Sequence, residues 1–482
     1  MQRLLNARFM LIGREKELKL LREAYDNEYS QFVVVYGRRR VGKTFLVREA
    51  FNYKFTFQHS GIANTSKHTQ LEEWGKSLQK QGLKLKTSPK NWMEAFSLLD
   101  DLICKSRAKR KVIFIDELPW MDTQGSGFIP ALEHFWNAYA SARKDVLLIV
   151  CGSATSWIVD KLIHNHGGLH NRINKKINLR QFTLHECELY AKSRKLSMQH
   201  RQILECYMIM GGIPYYWSLL RKDLSLPQNI DSIFFSEDGD LNNEFDALYR
   251  ALFKKPEAYI EVINALGKKR IGMTRDEISL TTNLAPNGAL TTILKNLEYC
   301  GFIRKYHQIG KLTKDAIYQL VDFYTLFYFK FILENKRHDP NFWTKNAGSA
   351  LYNNWCGLAF ERVCFAHIPQ IKQALGIGGV VTNEYTWFVR KTDDRPGAQI
   401  DLLLDRGDST INICEIKYTV SSEYSLNEEE EIKILNRRER FIQETKTTKA
   451  VHLTLITTRG LMHNSHSDIF QNVIVADSLF YI

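Results

Sequence analysis

At 482 residues the chain is too long to fold around one core, so three or four domains are expected. With 44% hydrophobic and 25% charged residues, the composition excludes wholesale disorder. The net charge of +13 argues against an acidic DNA mimic and favours an anionic partner, nucleic acid before membrane; a generally basic surface is the plain alternative.

The first residues, MQRLLNARFMLIGREKEL (1–18), hold a short apolar patch but no small-residue cleavage site, so no signal peptide is expected. No run of roughly 18 apolar residues could span a bilayer, and no membrane partner is expected. The eight cysteines are scattered without a C-x-x-C pair, several inside apolar runs such as LLIVC (147–151) and INIC (411–414). Reduced, packed thiols and a cytoplasmic location follow as expectations, and structural zinc is not expected.

The stretch QFVVVYGRRRVGKTFLVREAF (31–51) predicts a buried strand, a glycine loop and an amphipathic helix. It fits G-x-x-x-x-G-K-[ST] with Gly37, Gly42, Lys43 and Thr44. Glycines let the backbone wrap phosphates, so that amide N–H groups and the helix N-terminus face negative charge. Lys43 is expected on the β- and γ-phosphates of ATP and the Thr44 hydroxyl on Mg²⁺. A second strand, KVIFIDELPWMD (111–122), ends in two acids: Asp116 is expected to hold the same Mg²⁺ through water, and Glu117 to orient and activate the attacking water. A third, DVLLIVCGSATSW (145–157), ends in small polar residues, of which Ser153 or Thr155 could touch the γ-phosphate or the lytic water; a plain strand-to-loop junction is the alternative. HNHGGLHNRI (164–173) is expected to be a nucleotide-sensing loop and not a histidine nuclease. Arg172 is either an arginine finger, acting across a homo-oligomer if in trans, or one end of a surface salt bridge.

LIGREKELKLL (11–21), the phosphate loop, FIDELPW (114–120), CGSATS (151–156), the N-R-I at 171–173 and MGGIPYYW (210–217) together resemble the archaeal-type ATPases of the AAA+/STAND class. The likeness covers roughly residues 8–260. It implies that Gly13 and Arg14 lie near the adenine and that the GGIP segment belongs to a helical lid over the nucleotide. Asn171 replaces the usual glycine before the finger-like arginine, which leaves the role of Arg172 open.

The segment 271–306 reads as a short helix, a turn, a longer helix and a strand, with Thr274 before Asp276 and Glu277 as a helix start. Leu290, Ile293, Leu294 and Leu297 fall at helical spacing, Gly301 ends the helix, and FIRKYHQIG…AIYQLV supplies a wing. This looks like a winged helix-turn-helix. One reading puts 287–298 in a DNA groove with Lys268, Lys269, Arg270, Arg304 and Lys305 on phosphates; the other makes it a protein-packing module. The aromatic stretch VDFYTLFYFKFILEN (321–335) is expected to be a buried interdomain helix, and NEEEEIK (427–433) a solvated face at a helix start.

The C-terminal part reads as a helix (353–375), a strand (384–390), a hairpin IDLLLDRGDSTINICEIKY (400–418), an acidic helix and a strand (451–458), an α/β order. Strand alternation puts Glu415 and Lys417 on one face; Asp401 joins them if residues 405 and 411 pair across an odd loop. Two carboxylates and an ammonium would then surround a space fit for Mg²⁺. The spacing D-x13-E-x-K resembles the PD-(D/E)xK nuclease superfamily, which implies Glu361 as the helical acid and Asp401 and Glu415 as metal ligands beside catalytic Lys417. AQID replaces the expected proline before the aspartate. WCGLAFE…IDLLLDR…CEIKY also looks like an uncharacterised domain that accompanies archaeal-type ATPases.

The expected architecture is α/β and multidomain: a P-loop ATPase core (1–180), a helical lid (181–260), a winged helix (261–320), then a connecting helix and restriction-endonuclease-like domain (321–482). Two functions fit: an ATP-driven DNA enzyme with a metal nuclease, or a nucleotide-switch signalling or scaffold ATPase whose tail is an inactive nuclease fold that binds a protein.

Overall fold

The computed structural model describes residues 11–481 apart from 154, 165–166, 170, 254, 311–315, 336–338, 390 and 392–395. The loop at 164–173 and the wing at 307–316 therefore lie partly outside the described residues. The chain forms two compact units, Met1–Gln181 and Phe182–Ile482.

In the first unit five parallel strands form one sheet: β1 (Gln31–Tyr36), β2 (Phe57–Ser60), β3 (Lys111–Asp116), β4 (Val146–Gly152) and β5 (Lys175–Asn178), in the order β2-β3-β4-β1-β5. β4 is buried along its whole length, and β1 and β3 along all but one residue each, as a parallel sheet covered on both faces requires. Helix α1 (Glu15–Asp26) leads into β1, and α2 (Lys43–Ala50) follows it across the glycine loop. The order brings the carboxyl ends of β1, β3 and β4 side by side, where an open α/β sheet places its ligands.

The second unit begins at Phe182, whose N–H donates to Gly212 O (2.7 Å). Gly211 takes a left-handed φ of 62°, and a Cβ on Gly212 would stand 2.0 Å from Phe182 O. Both glycines of the GGIP segment are thus required by backbone geometry. Helix α3 (His200–Met210) and the expected lid belong to the same compact unit as everything after them, where four separate domains were expected. The reason is aromatic packing: Phe323, Tyr324 and Phe327 are buried against Tyr207, Phe234 and Phe235, and Thr325 bonds Tyr249, which welds 321–335 to the preceding helices.

After α4 (Pro256–Gly267) come β6 (Met273–Thr274), α5 (Arg275–Thr282), α6 (Gly288–Tyr299), β7 (Ile303–Tyr306) and β8 (Ile317–Leu320). Thr274 and Glu277 form a capping box at α5, and β8 lies between β6 and β7 in an antiparallel sheet. Helix α7 (Ala350–Ala366) then precedes β9 (Thr382–Val389), β10 (Ala398–Arg406) and β11 (Thr410–Lys417); α8 (Glu428–Thr445), β12 (Ala450–Thr457) and β13 (Asn472–Val475) follow. The sheet order is β13-β12-β11-β10-β9, antiparallel through β11 and parallel beyond it. All eight cysteines are free thiols, all but Cys104 buried. No helix among the described residues is long and apolar enough to cross a membrane.

Gly212→Ala should lower the unfolding temperature of the second unit, since the added Cβ displaces backbone at a cost of about 1–3 kcal/mol. Gly288→Ala, whose Cβ would meet nothing within 4 Å, is the control. Equal melting of the two variants would contradict the close approach.

Candidate functional site

The first unit assembles its polar residues at three adjacent strand ends. Gly37, at φ 144°, lies against the chain leaving β5: a Cβ there would stand 2.2 Å from Leu179 O. Gly42 is left-handed at φ 90° and caps α2, turning the loop so that its amides precede a helix N-terminus. Lys43 is buried, its Nζ donating to Gly37 O (2.9 Å) and Arg38 O (2.8 Å), carbonyls that phosphate oxygens would replace. Thr44 Oγ1 donates to Asp116 Oδ2 at 2.7 Å, joining the loop after β1 to the tip of β3. A hydroxyl and a carboxylate oxygen side by side are the hard donors that Mg²⁺ takes together with nucleotide phosphates, so the residues fit that ion.

Glu117 is left-handed (φ 47°), an uncommon state for a non-glycine residue and one that clusters at functional sites. Its carboxylate accepts from Ser153 Oγ at 3.1 and 3.0 Å and from Ser153 N–H at 3.4 Å. Ser153 thus reaches Glu117 from the end of β4, while the side chain of Thr155 lies outside the described residues. Arg14, left-handed at φ 68° after Gly13 (φ 65°), donates to Arg180 O (2.8 Å) and Val41 O (3.5 Å) and so clamps the phosphate loop to the segment after β5. Arg172 stands apart from this set, exposed in the turn before β5.

Residues 11–220 match the family described as an ATPase domain found predominantly in Archaea. The chain carries an archaeal-type ATPase domain. It is 24% identical over 416 residues to the uncharacterised protein MJECL04 of Methanocaldococcus jannaschii, covering 85% of this chain and 88% of that one. The uncharacterised ATP-binding protein MJ0423 of the same organism is 36% identical over 45 residues, 9% of this chain and 76% of the other. Among solved structures, the Walker-type ATPase PABY2304 of Pyrococcus abyssi aligns at a TM-score of 0.47 and 19% identity, over 66% of this chain and 95% of that one. The ORC2 protein of Aeropyrum pernix aligns at 0.39 and 14%, over 68% and 96%.

The second unit holds a cavity of about 920 Å³ at the end of β10 and β11. Its acids are Glu361, Asp401 and Glu415; its cations are Lys268, Lys269 and Arg270 before β6, Lys417 on β11, and Lys433, Arg437 and Arg440 on α8. The hairpin pairs Asp405 with Ile411, across the odd three-residue loop 407–409. The ladder stops at Leu402–Cys414, however, and β10 bulges against β9 between Ile400 and Leu403. Ile400 and Leu403, three residues apart, both enter the apolar cluster of Ile411, Ile413 and Phe441. Strict alternation therefore fails at Asp401, as an extra residue in a bulge dictates.

Asp401 accepts from Gln399, on its own strand, and lines the same cavity as Glu361, on whose carboxyl its charge acts. Glu415 is bonded instead to Arg437 (2.6 Å) and Lys417 (3.1 Å). The single cluster expected of Glu361, Asp401 and Glu415 is corrected to two parts of one cavity wall. Among the described residues no group of three or more His, Cys, Asp or Glu side chains is arranged to hold a metal ion. A Mg²⁺ site ordinarily uses one or two carboxylates completed by substrate phosphate and water, and the Glu361–Asp401 pair fits that form. Glu361 is 5% exposed; burial, then the Asp401 charge, push its carboxyl up to about 7 against the opposing pull of Arg270 and Arg362.

One expected phosphate contact is corrected. Arg304 is half-buried, its guanidinium 3.4 Å from the Phe365 ring centroid and 4.5 Å from that of Tyr306, with Nε on Gln319 (2.7 Å). Burial pushes its pKa down to about 9, so it serves packing. Arg270 is paired with Glu361. The cations of α8 escaped the sequence reading, although Lys433, Arg437 and Arg440 recur at i, i+4 and i+7, the spacing of one helix face.

Ser153→Ala should leave ATP affinity near wild type and cut kcat by about 10²-fold, the usual penalty for a misplaced catalytic group. Parallel measurement of KM and kcat checks this; an unchanged kcat would show that Ser153 does not position Glu117.

Proposed function

We propose that the chain is an ATP-hydrolysing switch whose second unit binds DNA and cleaves it with a Mg²⁺-dependent, nuclease-type site. The observation that carries the ATPase part is the Thr44–Asp116 bond with Glu117 held by Ser153 beside it. Lys43 and the loop amides would hold the β- and γ-phosphates, Thr44 and Asp116 the Mg²⁺, and Glu117 the attacking water. Gly13 and Arg14 would border the adenine. Arg172, being exposed, would be available as a finger to the site of a neighbouring copy, which makes a homo-oligomer part of the proposal. The surroundings would be cytoplasmic.

DNA binding is supported by the excess of seven cationic side chains over three acids around one cavity. The helix-turn-helix and its strands would act as a winged helix, with Thr291, Thr292 and Lys295 on the exposed face of α6. Asp401 and Glu361 would bind the metal with substrate phosphate, and Lys417, with Glu415, would position or activate the nucleophile. A second reading, a signalling or scaffold ATPase with an inactive nuclease-like domain that binds a protein, is favoured by one observation. Glu361 and Glu415 already have their charge offset by Arg270 and Arg437.

Both parts are tested on the purified full chain with ATP, plasmid DNA and single-stranded DNA, in Mg²⁺ or Mn²⁺. Lys43→Ala should weaken nucleotide binding, and Glu117→Gln should keep binding and abolish turnover. Asp401→Ala should remove metal-dependent cleavage and spare ATP hydrolysis. Wild-type turnover by Glu117→Gln would reject the ATPase assignment of that residue; intact ATPase without cleavage of either DNA form would favour the second reading.

A further inference from the structure

Arg270 precedes the helix-turn-helix, yet its guanidinium donates to Glu361 on α7, in the wall of the C-terminal cavity. The two partners differ sharply in exposure: the Arg270 side chain is 56% exposed and that of Glu361 only 7%. The backbone at Arg270 is fixed, its carbonyl accepting from Gln319 Nε2 and Arg362 (both 2.8 Å). The chain is thus anchored while the side chain can turn outward. Lys268 and Lys269 line the same cavity, so a polyanion drawn to them arrives beside Arg270.

We propose that Arg270 is a substrate-displaced guard of Glu361: a nucleic-acid phosphate takes the guanidinium, and the carboxylate so released takes a divalent cation. This rests on the nuclease-type reading above and assigns the site its mode of regulation. A guanidinium binds carboxylate and phosphate through the same fork of N–H donors, so exchange of one for the other conserves its hydrogen bonds. Glu361 loses by the equivalent exchange with water, because Arg362 alone, at 3.7 Å, would be left beside a nearly buried carboxylate. A metal ion offsets that charge, and Mg²⁺ in turn needs the phosphate to complete its oxygen shell. Each ligand therefore favours the other, and by linkage phosphate raises metal affinity by the factor that metal raises phosphate affinity. Without substrate the cavity keeps its carboxylate covered, which guards a cleavage site against idle metal loading.

The test is Mn²⁺ binding, followed by the loss of the free-ion paramagnetic resonance signal, to the full chain without nucleotide. The titration is run with and without a short single-stranded oligonucleotide bearing non-cleavable phosphorothioate linkages. For the wild type the oligonucleotide should tighten Mn²⁺ binding by roughly 5–150-fold, the ordinary range of such coupling. Arg270→Gln should bind Mn²⁺ more tightly than wild type in its absence and gain less than about twofold from its addition, well under that range. Arg270→Lys, which keeps the charge, should fall between. Asp401→Ala should fail to bind Mn²⁺ and leave the free-ion signal undiminished, which places the ion in this cavity. Full wild-type coupling in Arg270→Gln would overturn the guard and leave the metal site standing. Failure of wild type and Arg270→Gln alike to bind Mn²⁺, with or without oligonucleotide, would overturn the metal reading and the guard with it. Unaltered binding by Asp401→Ala would do the same.

Discussion

The hydrogen bond from Thr44 to Asp116 joins two strands that are not neighbours: β4 lies between β1 and β3. Bridging that gap requires the loop after β1 to turn back over the sheet end, and the left-handed Gly42, with Gly37 pressed against Leu179 O where no Cβ would fit, allows it. The strand between them contributes Ser153, which fills the remaining space by bonding Glu117. Lysine, hydroxyl, two carboxylates and serine thus meet because a parallel sheet with this order lets three loops converge at one edge. The close packing of β1, β3 and β4 is what makes the convergence rigid.

A different constraint governs the second unit, that of charge under burial. Glu361 and Arg362 are adjacent on α7 and both nearly inaccessible, so each depends on partners from the segment before β6. Arg270 supplies a guanidinium to one and a carbonyl to the other. The segment before β6 is thereby tied electrostatically to α7, and any ligand competing for Arg270 acts on both.

Much of the first unit was legible in the sequence, because its strands are continuous apolar runs and its loop needs glycine at fixed places. Asp116 and Glu117 stood at a strand end in the text and stand there in the fold. The second unit was less legible. The hairpin at 400–418 was legible, and its odd loop with the 405–411 pairing was one of the registers left open, but the bulge at 400–403 was not, since no glycine or proline marks it. Alternation reasoning failed there by one residue, which is enough to separate Asp401 from Glu415. The stacking of Arg304 on Phe365 was invisible because its partner lies 61 positions away. A basic residue in a strand reads as a surface charge until its neighbours are known.

The claim on which the account turns is that Thr44 and Asp116 form one half of a magnesium site completed by ATP. It is tested most directly by measuring ATP affinity as a function of Mg²⁺ for the wild type and for Asp116→Asn. Affinity that rises with Mg²⁺ in the wild type and is flat in the variant is the predicted result. The same Mg²⁺ dependence in both proteins would contradict it.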